Sequence, residues 1–95
     1  MPAYFIVDLE VTDAAVFDEY RQLVPETIAR YGGTYLVRGG NYEALEGTWN
    51  PQRLVVLQFP SVEQARKWYD SAEYSGPKAL RLKSAKSNLL LVEGA

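Results

Sequence analysis

An α+β sandwich, one antiparallel sheet with helices packed on a single face, is predicted by three observations. Ala3 to Val11 alternates with the period of two that a strand imposes, and Arg53 to Phe59 is a run of strand length largely apolar on both faces. Each is followed by a run at helical spacing, Val16 to Tyr31 and Val62 to Tyr69. Between them, Y-G-G-T-Y-L-V-R-G-G from Tyr31 to Gly40 is a short strand with glycines at both ends, where only glycine reaches positive φ cheaply. With a last apolar stretch near the end, the order is strand, helix, strand, strand, helix, strand. That is the ferredoxin-like βαββαβ arrangement, a four-stranded sheet with its first and third strands central.

The first strand places Ala3, Phe5, Val7, Leu9 and Val11 on one face, and Tyr4, Ile6, Asp8 and Glu10 on the other. Thr12 or Asp13 can cap the next helix, whose stripe is Val16, Phe17, Tyr20, Leu23, Val24, Ile28 and Tyr31. Pro25 removes one backbone donor inside it, which predicts a kink near Arg21 to Pro25 rather than two helices. Gly32-Gly33 stops this helix, and the strand through Tyr35 and Val37 ends on Arg38. A bulge at Gly39-Gly40 and a second extended piece from Tyr42 to Glu46 are the economical reading of the next residues.

Gly47 to Pro51 then reads as a turn leading into Arg53 to Phe59, with Val55, Leu57 and Phe59 on one face and Leu54, Val56 and Gln58 on the other. Ser61 with Gln64 has the form of a capping box for a helix carrying Val62, Ala65, Trp68 and Tyr69 and ending near Asp70. Asp70 or Ser71 can cap another short helix through Arg81, with Pro77 tolerable only near its start. Ser87 to Glu93 is the last strand, apolar on both sides.

Both central strands are therefore largely apolar on both faces. If the helices cover Phe5, Val7, Val55 and Leu57, nothing else in the chain covers Tyr4, Ile6, Leu54 and Val56. Such a patch amounts to several hundred Å², about the largest a monomer normally exposes. A second copy of the chain, making a homodimer through the open sheet face, is the expected cover. Asp8 lies on that face, and Arg53 is its expected partner.

Composition narrows the function classes. The 95 residues suit one domain, residues 1–95. With no cysteine and no histidine there is no disulfide framework, and the usual neutral-pH acid/base and metal ligands are missing, so neither metal nor cofactor is expected. Ten basic against twelve acidic side chains leave a net charge of −2, which disfavours nucleic acid. Y-F-I-V-D-L loosely echoes the first strand of RNA-recognition modules, but R-L-V-V-L-Q-F lacks their basic, aromatic-rich motif. No run approaches bilayer-spanning length, and a soluble, cytoplasmic protein without a membrane partner is expected.

Four motifs in order, Y-G-G-T-Y-L-V-R-G-G, L-E-G from Leu45, V-V-L-Q-F-P-S from Val55 and W-Y-D-S-A-E-Y from Trp68, resemble the bacterial family catalogued as domain of unknown function 1330. The resemblance spans essentially the whole chain. It implies a dimeric α/β-barrel, two such sheets facing each other with the helices outside. The wider structural relatives it implies include cofactor-independent monooxygenases of polyketide quinones, muconolactone isomerase and haem-degrading enzymes, which often bind a small hydrophobic ligand between sheet and helices. Glutamate is frequent in the family where this chain has Gln58, a departure that weakens an enzymatic reading.

Carried over from those motifs, Arg38, Glu46, Trp68, Tyr74 and Arg81 are the candidate ligand-binding residues. Arg38 could hold a carboxylate or enolate through its planar fork, its competing role being an ion pair with Glu46 or another acid. Glu46 is the best candidate acid/base, with a tyrosine as the alternative proton carrier, since a carboxyl against aromatic walls can have its pKa raised; it suits a plain hairpin residue better still. Trp68, Tyr69 and Tyr74 could wall a flat ligand or simply pack. Tyr74, Lys78 and Arg81 share one helical face, an arrangement usually solvated. Two functions fit: a homodimer binding a small hydrophobic anionic or carbonyl-bearing compound, with cofactor-independent catalysis open, or a structural or regulatory dimer module with no site.

Overall fold

The structure, a computed structural model, describes residues 1–95. Its elements are β1 (Ala3–Val11), α1 (Ala14–Arg30), β2 (Thr34–Arg38), β3 (Arg53–Phe59), α2 (Val62–Tyr69), α3 (Ala72–Ser84) and β4 (Ala85–Glu93). The strands form one antiparallel sheet in the order β2-β3-β1-β4. This is the ferredoxin-like α+β fold that the sequence predicts.

Each helix starts where a short polar side chain can take an orphan amide. Asp13 Oδ1 accepts from the Val16 amide at 3.2 Å, Ser61 Oγ from Gln64 at 3.1 Å and Ser71 Oγ from Tyr74 at 3.1 Å. Only half of the expected capping box forms. The Gln64 side chain donates instead to the Tyr31 carbonyl at 2.9 Å, tying the start of α2 to the end of α1. Pro25 lies within a single helix, and Pro77 lies inside α3 rather than at its first turn. The bond that Pro77 omits would have gone to the Glu73 carbonyl in the exposed first turn, where water can replace the missing donor.

The stretch after β2 departs from the expectation. Tyr42 to Glu46 is not a strand; residues 40–52 are irregular and mostly exposed. The bulge is also earlier than expected, inside β2: Tyr35 pairs with Leu57, but Val37 pairs with Val56 and Arg38 with Val55, leaving Leu36 as the extra residue. The Gly39 amide makes one last ladder bond, to the Leu54 carbonyl at 2.8 Å, and its φ of 68° then turns the chain out of the sheet. The loop is tied down locally: the Tyr42 hydroxyl bonds Asn50 Oδ1 and the Pro51 carbonyl.

Trp49 Nε1 donates to Asp8 Oδ2 at 3.1 Å, so the partner of Asp8 is Trp49 and not Arg53. Arg53 cannot serve because it pairs with Leu9 and shares the opposite face of the sheet.

The helices cover one face only. Ala3, Phe5, Val7, Leu9, Leu57 and Phe59 are buried beneath Phe17, Tyr20, Val24 and Ile28 of α1, Ala65 and Trp68 of α2 and Tyr74 of α3. On the other face Tyr4, Ile6, Leu54 and Val56 are half-buried, and Leu90 is 64% exposed.

Candidate binding site between helices and sheet

The floor of the site is set by register. On the helix-covered face the last row to span β3, β1 and β4 reads Arg53, Leu9, Ser87, and the next inward reads Arg38, Val55, Val7, Leu89 across all four strands. Arg38 reaches this face because of the bulge. With unbroken alternation it would point the opposite way from Tyr35, and the extra residue at Leu36 reverses that. Its guanidinium lies 4.5 Å from the centre of the Tyr35 ring.

Above this floor is a cavity lined by 17 residues, of which 13 are hydrophobic; the other four are all arginines, Arg21, Arg38, Arg53 and Arg81. The atom-free space counted out to the mouth is about 520 Å³, but the part deep enough to centre a water molecule is about 40 Å³. The smaller figure is the one to set against ligand cavities, and it corresponds to about three waters.

No aspartate or glutamate lines this cavity. Arg38, Arg53 and Arg81 take part in none of the ion pairs of the chain, and Arg21 meets only the exposed Asp18 at 3.7 Å. Arg81, 3% exposed, donates from Nε to the Tyr74 hydroxyl at 3.2 Å and from Nη1 to Ser87 Oγ at 2.7 Å. Burial disfavours its charge, but the Tyr74 phenol, with Tyr20 and Tyr69, more than offsets this and holds its pKa above the ordinary value. Arg53 is the opposite case. Burial, then the nearby Arg21 and Arg38 charges, pull its pKa below the ordinary range, and its Nε is buried with no hydrogen-bond partner.

Gly39 lets this group in. A Cβ there would lie 2.5 Å from Arg53 Nη1.

The Tyr74 hydroxyl continues from Arg81 to the Tyr20 hydroxyl at 3.2 Å, giving a buried chain Arg81, Tyr74, Tyr20 that ends on the cavity wall. Burial, followed by the neighbouring Tyr74 phenol, raises the Tyr20 pKa far above that of a free tyrosine. Tyr35 is also raised, mainly by burial. Trp68 stacks on Tyr74 with ring centres 4.0 Å apart and donates from Nε1 to Thr27 Oγ1 at 3.0 Å.

Four of the five residues singled out from the sequence, Arg38, Trp68, Tyr74 and Arg81, thus line one cavity. Glu46 does not; it is exposed in the loop after β2, and Arg38 makes no ion pair with it. Lys78 also leaves the group, reaching the Tyr69 carbonyl at 3.0 Å and that ring's face at 4.0 Å. Sequence reasoning missed Arg53 and Tyr20. The signal for Arg53 was there, since it shares odd numbering with Val55, Leu57 and Phe59 and so their buried face. Tyr20 falls on the stripe of α1 like any core residue, and its partner Tyr74 is 54 positions away.

What the arrangement offers is a cationic, aromatic-walled slot whose titratable proton carriers are tyrosines. No three acidic side chains converge as a metal ion would require. No helix is long and apolar enough to cross a membrane.

The chain belongs to the family described as domain of unknown function (DUF1330), which it matches over residues 2–95. No protein of curated function matches it. Among solved structures, a protein of unknown function from Rhodopseudomonas palustris is similar over 99% of this chain and 82% of that one, with 16% identity and a TM-score of 0.79. A dimeric ferredoxin-like protein of unknown function from a Jannaschia species is similar over 99% of this chain and all of its own, at 11% identity and a TM-score of 0.72. SnoaB, a cofactor-independent oxygenase from Streptomyces nogalater, is similar over 99% of this chain and 93% of its own, at 12% identity and a TM-score of 0.67. At these identities the likeness is one of fold.

Proposed function

We propose that the protein is a homodimer, paired through its open sheet face, that binds a small hydrophobic anion in the slot between helices and sheet. The observation that carries the ligand class is the lining: apolar and aromatic walls with four arginines and no carboxylate. Arg53, half-buried with its Nε unpartnered, has no counter-ion among the lining residues, and an anion supplied from outside would meet it. Arg38 and Arg53 present planar forks suited to a carboxylate. Arg38 and Arg21 are exposed at the mouth. The pairing of two chains rests on the apolar residues left on the uncovered face and on the Jannaschia relative described as dimeric. Any catalysis would be cofactor-independent, with Arg38 steadying a developing oxyanion.

Calorimetric titration with benzoate and with benzamide tests the anion requirement. Uptake of the acid and not the amide is expected; equal uptake, or none of the acid, overturns the reading. Sedimentation at micromolar concentration should report twice the chain mass.

A second reading, a dimer module whose aromatics only pack, is favoured by the small deep volume of about 40 Å³. Arg38→Ala separates the two. A ligand site loses acid binding while the fold keeps or gains thermal stability, whereas a packing role loses stability.

A further inference from the structure

We infer that the slot recognises its ligand at two poles, a carboxylate at Arg38 and Arg53 and a hydroxyl group at the far end of a conjugated skeleton, met by the hydroxyl of Tyr20. This rests on the anion-binding reading above and specifies its ligand as a flat aromatic or enolic acid with a hydroxyl group opposite the carboxylate.

The first pole stands on β2 and β3, whereas Tyr20 is on α1 and is tied through Tyr74 and Arg81 to Ser87 of β4. Arg53 on β3 and Ser87, the anchor of Arg81, on β4 flank Leu9 in one row, so their backbones stand two strand spacings, about 10 Å, apart. Arg38, on β2, lies one strand further out. An aromatic series joins the poles overhead. The Arg53 guanidinium is 5.9 Å from the Phe17 ring, Phe17 is 5.5 Å from Tyr20, and Tyr20 is 6.5 Å from Tyr74, centre to centre. A planar skeleton lying along that series has cations at one end and the Tyr20 hydroxyl at the other.

The hydrogen-bond chain leaves Tyr20 one bond short. Arg81 Nε donates to one lone pair of the Tyr74 oxygen, and the Tyr74 and Tyr20 hydroxyls share a bond in which either can be the donor. No other protein group bonds the Tyr20 hydroxyl. Its second bond is therefore unassigned, and a ligand hydroxyl, which can both donate and accept, completes it in either arrangement. Tyr74 and Arg81 are positioning residues that act through it.

The test is affinity for a matched pair, 4-hydroxybenzoate and 4-methylbenzoate, measured by calorimetry on the intact protein. The two differ by hydroxyl against methyl, and an apolar slot alone favours the methyl. About tenfold tighter binding of the hydroxy acid is expected, the effect of one well-made hydrogen bond. In Tyr20→Phe, checked for native circular dichroism, the preference should vanish. If the intact protein binds both acids equally, or prefers the methyl compound, the second pole is wrong while the anion site stands. A preference that persists in folded Tyr20→Phe also overturns it. If neither acid binds, the anion site itself falls and the second pole with it.

Discussion

The two faces of the sheet are built from similar residues and reach different ends. Phe5, Val7 and Leu57 are at most 5% exposed under the helices. Their immediate neighbours Tyr4, Ile6, Leu54 and Val56, one residue out of phase, are left half-covered. The covered face is also where the cations are, because Arg53 shares its phase and the bulge brings Arg38 onto it. Phase along a strand therefore distributes both apolar burial and charge. The covered side has charge without counter-charge, and the open side has apolar surface without a roof. Under the proposed function a second molecule meets each lack, a small anion for one and another copy of the chain for the other.

The contrast between the faces is most exposed to test at Trp68. It is 1% exposed, stacked on Tyr74 and hydrogen-bonded to Thr27. Trp68→Ala should cost about 3–5 kcal/mol in denaturant unfolding. A loss below about 1 kcal/mol would mean that the covered face is looser than described. On the other side, Ile6→Glu tests the roof that the proposed partner would provide. Its cross-strand neighbours are Val56 and Leu90, both apolar and on the open face. The expected result is a folded single chain, with dimer dissociation raised at least hundredfold, about 2.7 kcal/mol. An unchanged dimer mass would place the interface elsewhere.

Gly39 marks the boundary between the faces, since it both ends β2 and leaves room for Arg53. At φ 68° an alanine costs about 1–2 kcal/mol from the backbone alone, and its Cβ would meet the Arg53 guanidinium. Gly39→Ala should lower thermal stability and weaken acid binding together. Gly40→Ala meets nothing within 4 Å and should change binding little.

Much of this was legible in the sequence because period, capping and breaker residues act locally. The period of β1 and β3, the Ser61 and Ser71 caps and the end of α2 near Asp70 are set by neighbours a few positions away. The features that were not legible depend on partners far along the chain. The bulge at Leu36 is a property of the pairing with β3, so a strand ending on Arg38 could not show which face that arginine takes. Residues 42–46 have strand-like composition, but after Gly39 turns away no strand remains beside them. Glu46 was named from the family motif and from the premise of a strand there, and without that strand it stays in the exposed loop. The hydrogen-bond chain from Arg81 through Tyr74 to Tyr20 requires α1 and α3 to be side by side, which no local pattern states.

The smallest effect separates Tyr20 as a buried phenol from Tyr20 as mere packing. Its folded pKa is raised, by burial first, so the unfolded chain gives up the proton more readily. Above the free-tyrosine value of about 10 the unfolded state binds fewer protons, and stability falls as pH rises; below that value the contribution is fully present. Tyr20→Phe at neutral pH should cost about 1 kcal/mol for the lost bond to Tyr74. Between pH 10 and 12 the variant should lose stability less steeply than the native protein, though not to zero slope, because Tyr35 is raised in the same direction. Urea unfolding at several alkaline pH values reads both slopes. Parallel slopes would show that Tyr20 is wet and ionises in the folded chain, and its hydroxyl would then no longer be the dry end of the Arg81 chain.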